Sequence, residues 1–258
     1  MLKTIATLTP LGIGIFYPLS FLIHAKTPLK GGFHRFHLGM PLVVGGIVSV
    51  FLLADKINPL TKGLLLTWWL TLALFAFYYW KKESSPSYAV AVPSLFGLFA
   101  FLGVQSKFFH HPSPEVGVTN VLSGIILCAA LHSMMLGHHY LNVRGLSLDY
   151  LKRANKVLWT LLGLRLLWDL YFLLNGKMTY NGDEISILHF SLRLDGFLLW
   201  IGIFFGTLFP FITLFFVKEI LKFRNTQSAT GILYVLLCSI FMGHLAYSYY
   251  VLKFGIAL

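Results

Sequence analysis

The chain has 258 residues, 57% of them apolar and only 11% charged, with a mean hydropathy of +0.76. Soluble domains are about a quarter charged, so a soluble fold is excluded and an all-α integral membrane bundle is expected. The net charge of +11 accompanies long apolar runs and no long basic block, which points to loops facing anionic lipid and away from nucleic acid.

Crossing roughly 30 Å of hydrocarbon takes about 20 helical residues. Eight segments meet that length, at approximately 4–25, 35–54, 60–80, 87–106, 116–141, 155–175, 186–217 and 228–252. Their apolar runs are continuous and do not alternate with a period of two, so they are helices and not barrel strands. In the first, the run from Ile5 to Ile23 is too long for a signal h-region and lacks a small-residue cleavage site, so a retained span is expected. Tyr78, Tyr79 and Trp80 close the third span, and Tyr249 and Tyr250 the eighth, as interfacial aromatics do. Gly202 and Gly206, four apart in the seventh, suit close helix packing. Cys128 and Cys238 fall inside apolar stretches as small core residues. All connections are short, which leaves a single transmembrane domain over 1–258. No residue-level repeat is visible, although eight spans leave room for two four-helix halves.

Orientation follows from the cations. With the N-terminus on one side, that side carries six Lys and the other twelve Lys and Arg. The richer side is therefore expected in the cytoplasm, with both termini outside.

Ten histidines are the next signal, because a buried imidazole needs a partner and is also a ligand for haem iron, copper and zinc. The fifth span holds His132, His138 and His139. His132 and His139 share a helix face within about 20° but lie about 10.5 Å apart along the axis, too far for one metal ion. Gly137, just before the pair, leaves room for a flat ring to approach the backbone. His34 and His37 stand at i, i+3 and share a face, either to grip a metal ion or as basic residues at a headgroup surface. His244 follows Gly243, and pairing with His132 or His189 would make an outer-side axial pair; His110 and His111 belong to an outer loop. His34 and His139 are the weaker metal candidates. The HxxxH and HxxHH boxes of di-metal membrane oxygenases are absent, as are HExxH and paired-Cys motifs.

Charges inside spans complete the candidate set. Arg165 and Asp169 are spaced i, i+4 near the middle of the sixth span, and His189, Arg193 and Asp195 descend into the seventh. A charge at a span centre costs at least about 2.5–3.5 kcal/mol, so these groups are expected to pair and face the interior. They form either a proton route or substrate-gripping core, or an ion-pair lock between the two spans. Before the eighth span, Thr226 or Ser228 is placed to cap the helix near Lys222 and Arg224.

The segments Gly137-His138-His139-Tyr140-Leu141-Asn142 and Thr226-Gln227-Ser228-Ala229-Thr230-Gly231-Ile232-Leu233-Tyr234 resemble two short signatures of uncharacterised bacterial polytopic membrane proteins, in which the second histidine is often Trp. That resemblance favours His138 over His139 as a ligand and implies a bacterial inner membrane. More loosely, eight helices with histidines at two depths are similar to quinone-linked membrane subunits of respiratory complexes and to b-type cytochromes. In the cytochrome b of bc-type complexes, however, two haem histidines on one helix stand about twice as far apart as His132 and His139.

The expected function is that of an electron-transfer subunit binding haem b, quinone or both, beside other redox subunits. Its ligands or quinone contacts would be His132, His138 and His244, then His37 and His189. Alternatives are a proton- or metal-coupled transporter and a non-catalytic anchor subunit.

Overall fold

The computed structural model describes the chain except residues 25–32, 84, 110–112 and 144, and the side chains of 87–90. Lys26, Lys30 and Arg144 of the charge count, and His110 and His111, lie outside the described residues. Among the described residues, eight helical segments are long and apolar enough to cross a membrane. Many of their large apolar side chains point outward, Phe77 being 86% and Phe51 72% exposed. Water would reject such a surface, whereas acyl chains accept it.

The packing divides into two compact units, Leu2–Pro112 and Ser113–Leu258. The first begins with α1 (Leu2–Phe16), which tightens into a 3-10 stretch over Tyr17–His24, and continues with α2 (Phe33–Ala54), α3 (Pro59–Tyr79) and α4 (Ser87–Phe108). Asn58 caps α3 by accepting the Leu60 N–H at 2.9 Å, and Pro59 fills the first turn, where no N–H is needed. Gly14 lets α1 touch α2 at Gly45, since a Cβ there would stand 2.8 Å from the Gly45 Cα. The fully buried Trp68 of α3 fills the space beside Gly45 and Gly97.

The second unit contains α5 (Pro114–Asn142), α6 (Asp149–Asn175), a hairpin of β1 (Lys177–Tyr180) and β2 (Asp183–Ser186), short α7 (Ile187–Ser191), a 3-10 turn (Leu194–Gly196), α8 (Phe197–Ile203), α9 (Phe209–Lys222) and α10 (Thr226–Phe254). One π-helical turn, Phe204–Leu208, joins α8 to α9 within the seventh span. Asn181 and Gly182, both at positive φ, turn the hairpin, and Tyr180 pairs with Asp183. The hairpin ends at Ser186, where the seventh span was expected to start; α7 occupies the residues that follow, and the apolar helix begins instead at Leu194. The cap of α10 also differs from expectation. Asn225, and neither Thr226 nor Ser228, supplies it, accepting the Ser228 N–H at 3.0 Å; Gly255 ends the helix at φ 67°.

Candidate functional site

The sixth span carries its two charges on one face, and both are buried: the Arg165 and Asp169 side chains are 1% and 3% exposed. Arg165 Nε stands 2.8 Å from Asp169 Oδ1. On the far side of the guanidinium, Nη1 donates to Ser123 Oγ of α5 at 2.7 Å, and the plane lies 3.9 Å over the Tyr247 ring of α10. A cation stacked on a desolvated aromatic face is stabilised by the ring quadrupole. Nη2 is buried and has no hydrogen-bond partner among the described residues.

Two hydroxyls hold the carboxylate. Thr207 Oγ1 donates to Asp169 Oδ2 at 2.9 Å, and Tyr247 OH donates to the same oxygen at 2.7 Å. Each hydroxyl has one proton, so when both serve Oδ2 their mutual 3.1 Å contact carries none. Thr207 lies inside the π-helical turn, a local widening that frequently marks functional positions. Gly206 beside it meets Gly243 of α10 backbone to backbone, which brings Tyr247 to the carboxylate. This fulfils the close packing expected of the Gly202/Gly206 spacing. Below the ion pair, Thr119 Oγ1 donates to the Ala257 carbonyl at 3.1 Å, and Trp168 Nε1 donates to that carbonyl at 3.0 Å. The last residues of the chain are thus tied onto α5 and α6. His244, one turn from Tyr247 and 9% exposed, lies within electrostatic reach of Arg165.

The charges expected to form one set separate into two places. Arg193 and Asp195 are exposed at the start of the seventh span and do not join Arg165 and Asp169. Asp195 accepts the Tyr180 hydroxyl of the hairpin, and Arg193 lies 5.3 Å over the same ring. That carboxylate holds the Tyr180 phenol above its ordinary range by favouring the protonated form. His189 is also exposed, with Nε2 3.4 Å from Arg193 Nη2.

The remaining histidines also sort by burial. His132 is fully buried on α5. His138 faces outward, its Nδ1 3.5 Å from the Tyr234 hydroxyl, while His139 is partly buried. The room expected at Gly137 is taken by Thr230 of α10, whose Oγ1 would stand 2.7 Å from an added Cβ. Gly137 opposite Thr230, and Arg165 reaching both Ser123 and Tyr247, set the antiparallel register of α5 and α10. In that register His132 falls about six to nine residues from the level of His244, roughly 9–13 Å along the axis. The two imidazoles therefore occupy different levels and do not face each other as an axial pair.

In the Leu2–Pro112 unit, His37 is 2% exposed, stacks on Phe33 at 3.8 Å and shares a hydrogen bond between its Nδ1 and the Tyr17 hydroxyl. His34 Nε2 donates to the Tyr79 carbonyl at 2.8 Å, which fixes its tautomer and leaves Nδ1 bare. Among the described residues no group of three or more His, Cys, Asp or Glu is arranged to hold a metal ion.

Sequence reasoning identified Arg165 and Asp169 but missed Ser123, Thr207 and Tyr247. Uncharged hydroxyls in an apolar helix carry no separate signal; the only hint was the i, i+3 spacing of Tyr247 from His244. The chain matches no family model, no curated protein and no solved structure.

Proposed function

We propose that this multi-pass membrane protein is a quinone-linked electron-transfer module, with the Arg165–Asp169–Tyr247 centre as its proton-exchanging site. The single observation behind the reading is the buried guanidinium: Arg165 is paired on one edge yet keeps Nη2 without an acceptor. Leaving a charged N–H unbonded away from water is costly, and a ligand carbonyl would relieve that cost. A quinone would supply two-electron, two-proton chemistry. Arg165 would orient its carbonyl, Asp169 would hold or release the proton, and the Tyr247 and Thr207 hydroxyls would pass it on. His244, one turn from Tyr247 on α10, would serve as a second proton-exchanging group.

The donor set suits a carbonyl better than a haem within this unit, because His132 and His244 stand at different levels. A proton-coupled transporter would use the same charges, but it calls for a watered path, whereas Gly206 and Gly243 close the packing beside Tyr247. The test is quinone extraction from the purified chain and titration with a soluble quinol analogue. Bound quinone in the wild type, reduced at least tenfold in Arg165→Gln with the fold retained, is expected. No quinone and no analogue binding, or metal- or proton-driven uptake by vesicles in its place, would overturn the reading.

A further inference from the structure

A second site lies at the end of the Ser113–Leu258 unit where α6 begins and α9 ends. Lys152, Asn155, Lys156 and Trp159 follow the i, i+3, i+4, i+7 pattern that aligns side chains on one helix face. Lys218, Leu221 and Lys222 repeat that spacing on α9. These seven residues line a cavity of about 500 Å³. Its cations lack matching acids: segments 149–156 and 218–224 hold six Lys and Arg against Asp149 and Glu219. Glu219 engages Lys222, at 2.7 Å.

Two further observations point to a ligand. Trp159 Nε1, a donor only, is buried without a hydrogen-bond partner among the described residues. Asn155 is 6% exposed, and its Oδ1 is likewise buried and without one. A buried indole N–H in a cavity lined by four lysines fits an anionic oxygen, and an orphan carboxamide oxygen fits a hydroxyl donor. Indole and leucine walls suit an acyl chain. Basic pockets between membrane helices are established headgroup sites.

We infer that this cavity binds the phosphodiester headgroup of an anionic glycerophospholipid, with Lys152, Lys156 and Lys218 on the phosphate, Trp159 Nε1 donating to it, and Asn155 accepting from a headgroup glycerol hydroxyl. The shared chemistry is phosphate, which could also arrive free in solution; the apolar walls assign it to lipid. The occupant is independent of any redox role, so the two readings fail separately.

The test uses the full chain in nanodiscs of phosphatidylcholine with increasing phosphatidylglycerol, reading bound lipid by native mass spectrometry. Brominated phosphatidylglycerol adds a second readout, the quenching lost in Trp159→Phe. Each lysine near anionic lipid contributes about fivefold in affinity, so Lys152→Gln/Lys156→Gln should lower phosphatidylglycerol selectivity at least tenfold. Lys152→Arg/Lys156→Arg should restore it and control for folding. Unchanged selectivity in the Gln variant, equal retention of phosphatidylcholine, or release of the lipid by millimolar inorganic phosphate or glycerol phosphate would overturn the assignment, the last in favour of a soluble phosphate ligand.

Discussion

Replacing Asp169 by Asn changes one atom of the centre and removes one charge, leaving the Arg165 guanidinium 1% exposed with no counter-ion. Removing one partner of a buried pair costs about 3–5 kcal/mol, because the surviving charge is neither paired nor hydrated. The asparagine oxygen still accepts from Tyr247 or Thr207, so a loss near the lower end, about 3 kcal/mol, is expected; Asp169→Ala, which removes both acceptor oxygens, should cost about 5 kcal/mol or more. The double variant Arg165→Met/Asp169→Leu abolishes both charges with side chains of similar size. It should therefore recover most of the loss, giving a coupling of about 2 kcal/mol or more in a double-mutant cycle. Reversible unfolding in mixed micelles, followed by tryptophan fluorescence, measures all the terms. If Asp169→Asn falls within about 0.5 kcal/mol of wild type, the pair is hydrated and the reasoning fails. A double variant that is stable but no longer binds quinone would separate function from fold.

Other outcomes follow from single contacts. Tyr247→Phe removes one hydroxyl from Asp169 Oδ2; Thr207 remains, so a loss of about 1.5 kcal/mol is expected in the same unfolding assay. Gly243→Ala should destabilise strongly, by about 2 kcal/mol or more, because its Cβ would meet the Gly206 backbone. Gly163→Ala on α6, with nothing within 4 Å of an added Cβ, should instead stabilise by about 0.5–1 kcal/mol; equal effects at the two glycines would contradict the packing. The Tyr180 phenol, which lies outside the spans, is raised above its ordinary 10 by Asp195. A raised folded value means that this contact contributes fully below pH 10 and fades as pH rises through the higher one. Ultraviolet titration of Asp195→Asn against wild type should show one phenol moving back toward 10, and superimposable curves would refute the contact.

The spans were legible because bilayer thickness imposes a length that composition reveals directly, and six of them begin within two residues of expectation. The exceptions are 155–175, whose helix extends back to Asp149 through Lys152, Arg153 and Lys156, and 186–217, whose first residues form the short α7. Asn181-Gly182 between alternating residues is a readable turn signal for the hairpin that precedes this span. Arg165 and Asp169 were visible because charge in an apolar run is rare. Thr207 and Tyr247 were not, since their role depends on the π-helical turn and on Gly206 meeting Gly243, which are tertiary facts. His138 stood in a suggestive motif, yet the helix turns it outward; Gly137 serves Thr230. Local spacing identifies who shares a face, and only packing decides which face is inside.

The most direct test of the account is a reduced-minus-oxidised difference spectrum of the purified chain, recorded from the ultraviolet through the visible, for wild type and Arg165→Gln. A quinone-type ultraviolet difference that is present in the wild type and lost in the variant is the predicted result. A featureless wild-type spectrum, or one that Arg165→Gln leaves unchanged, would contradict the assignment of the buried arginine centre to a redox ligand.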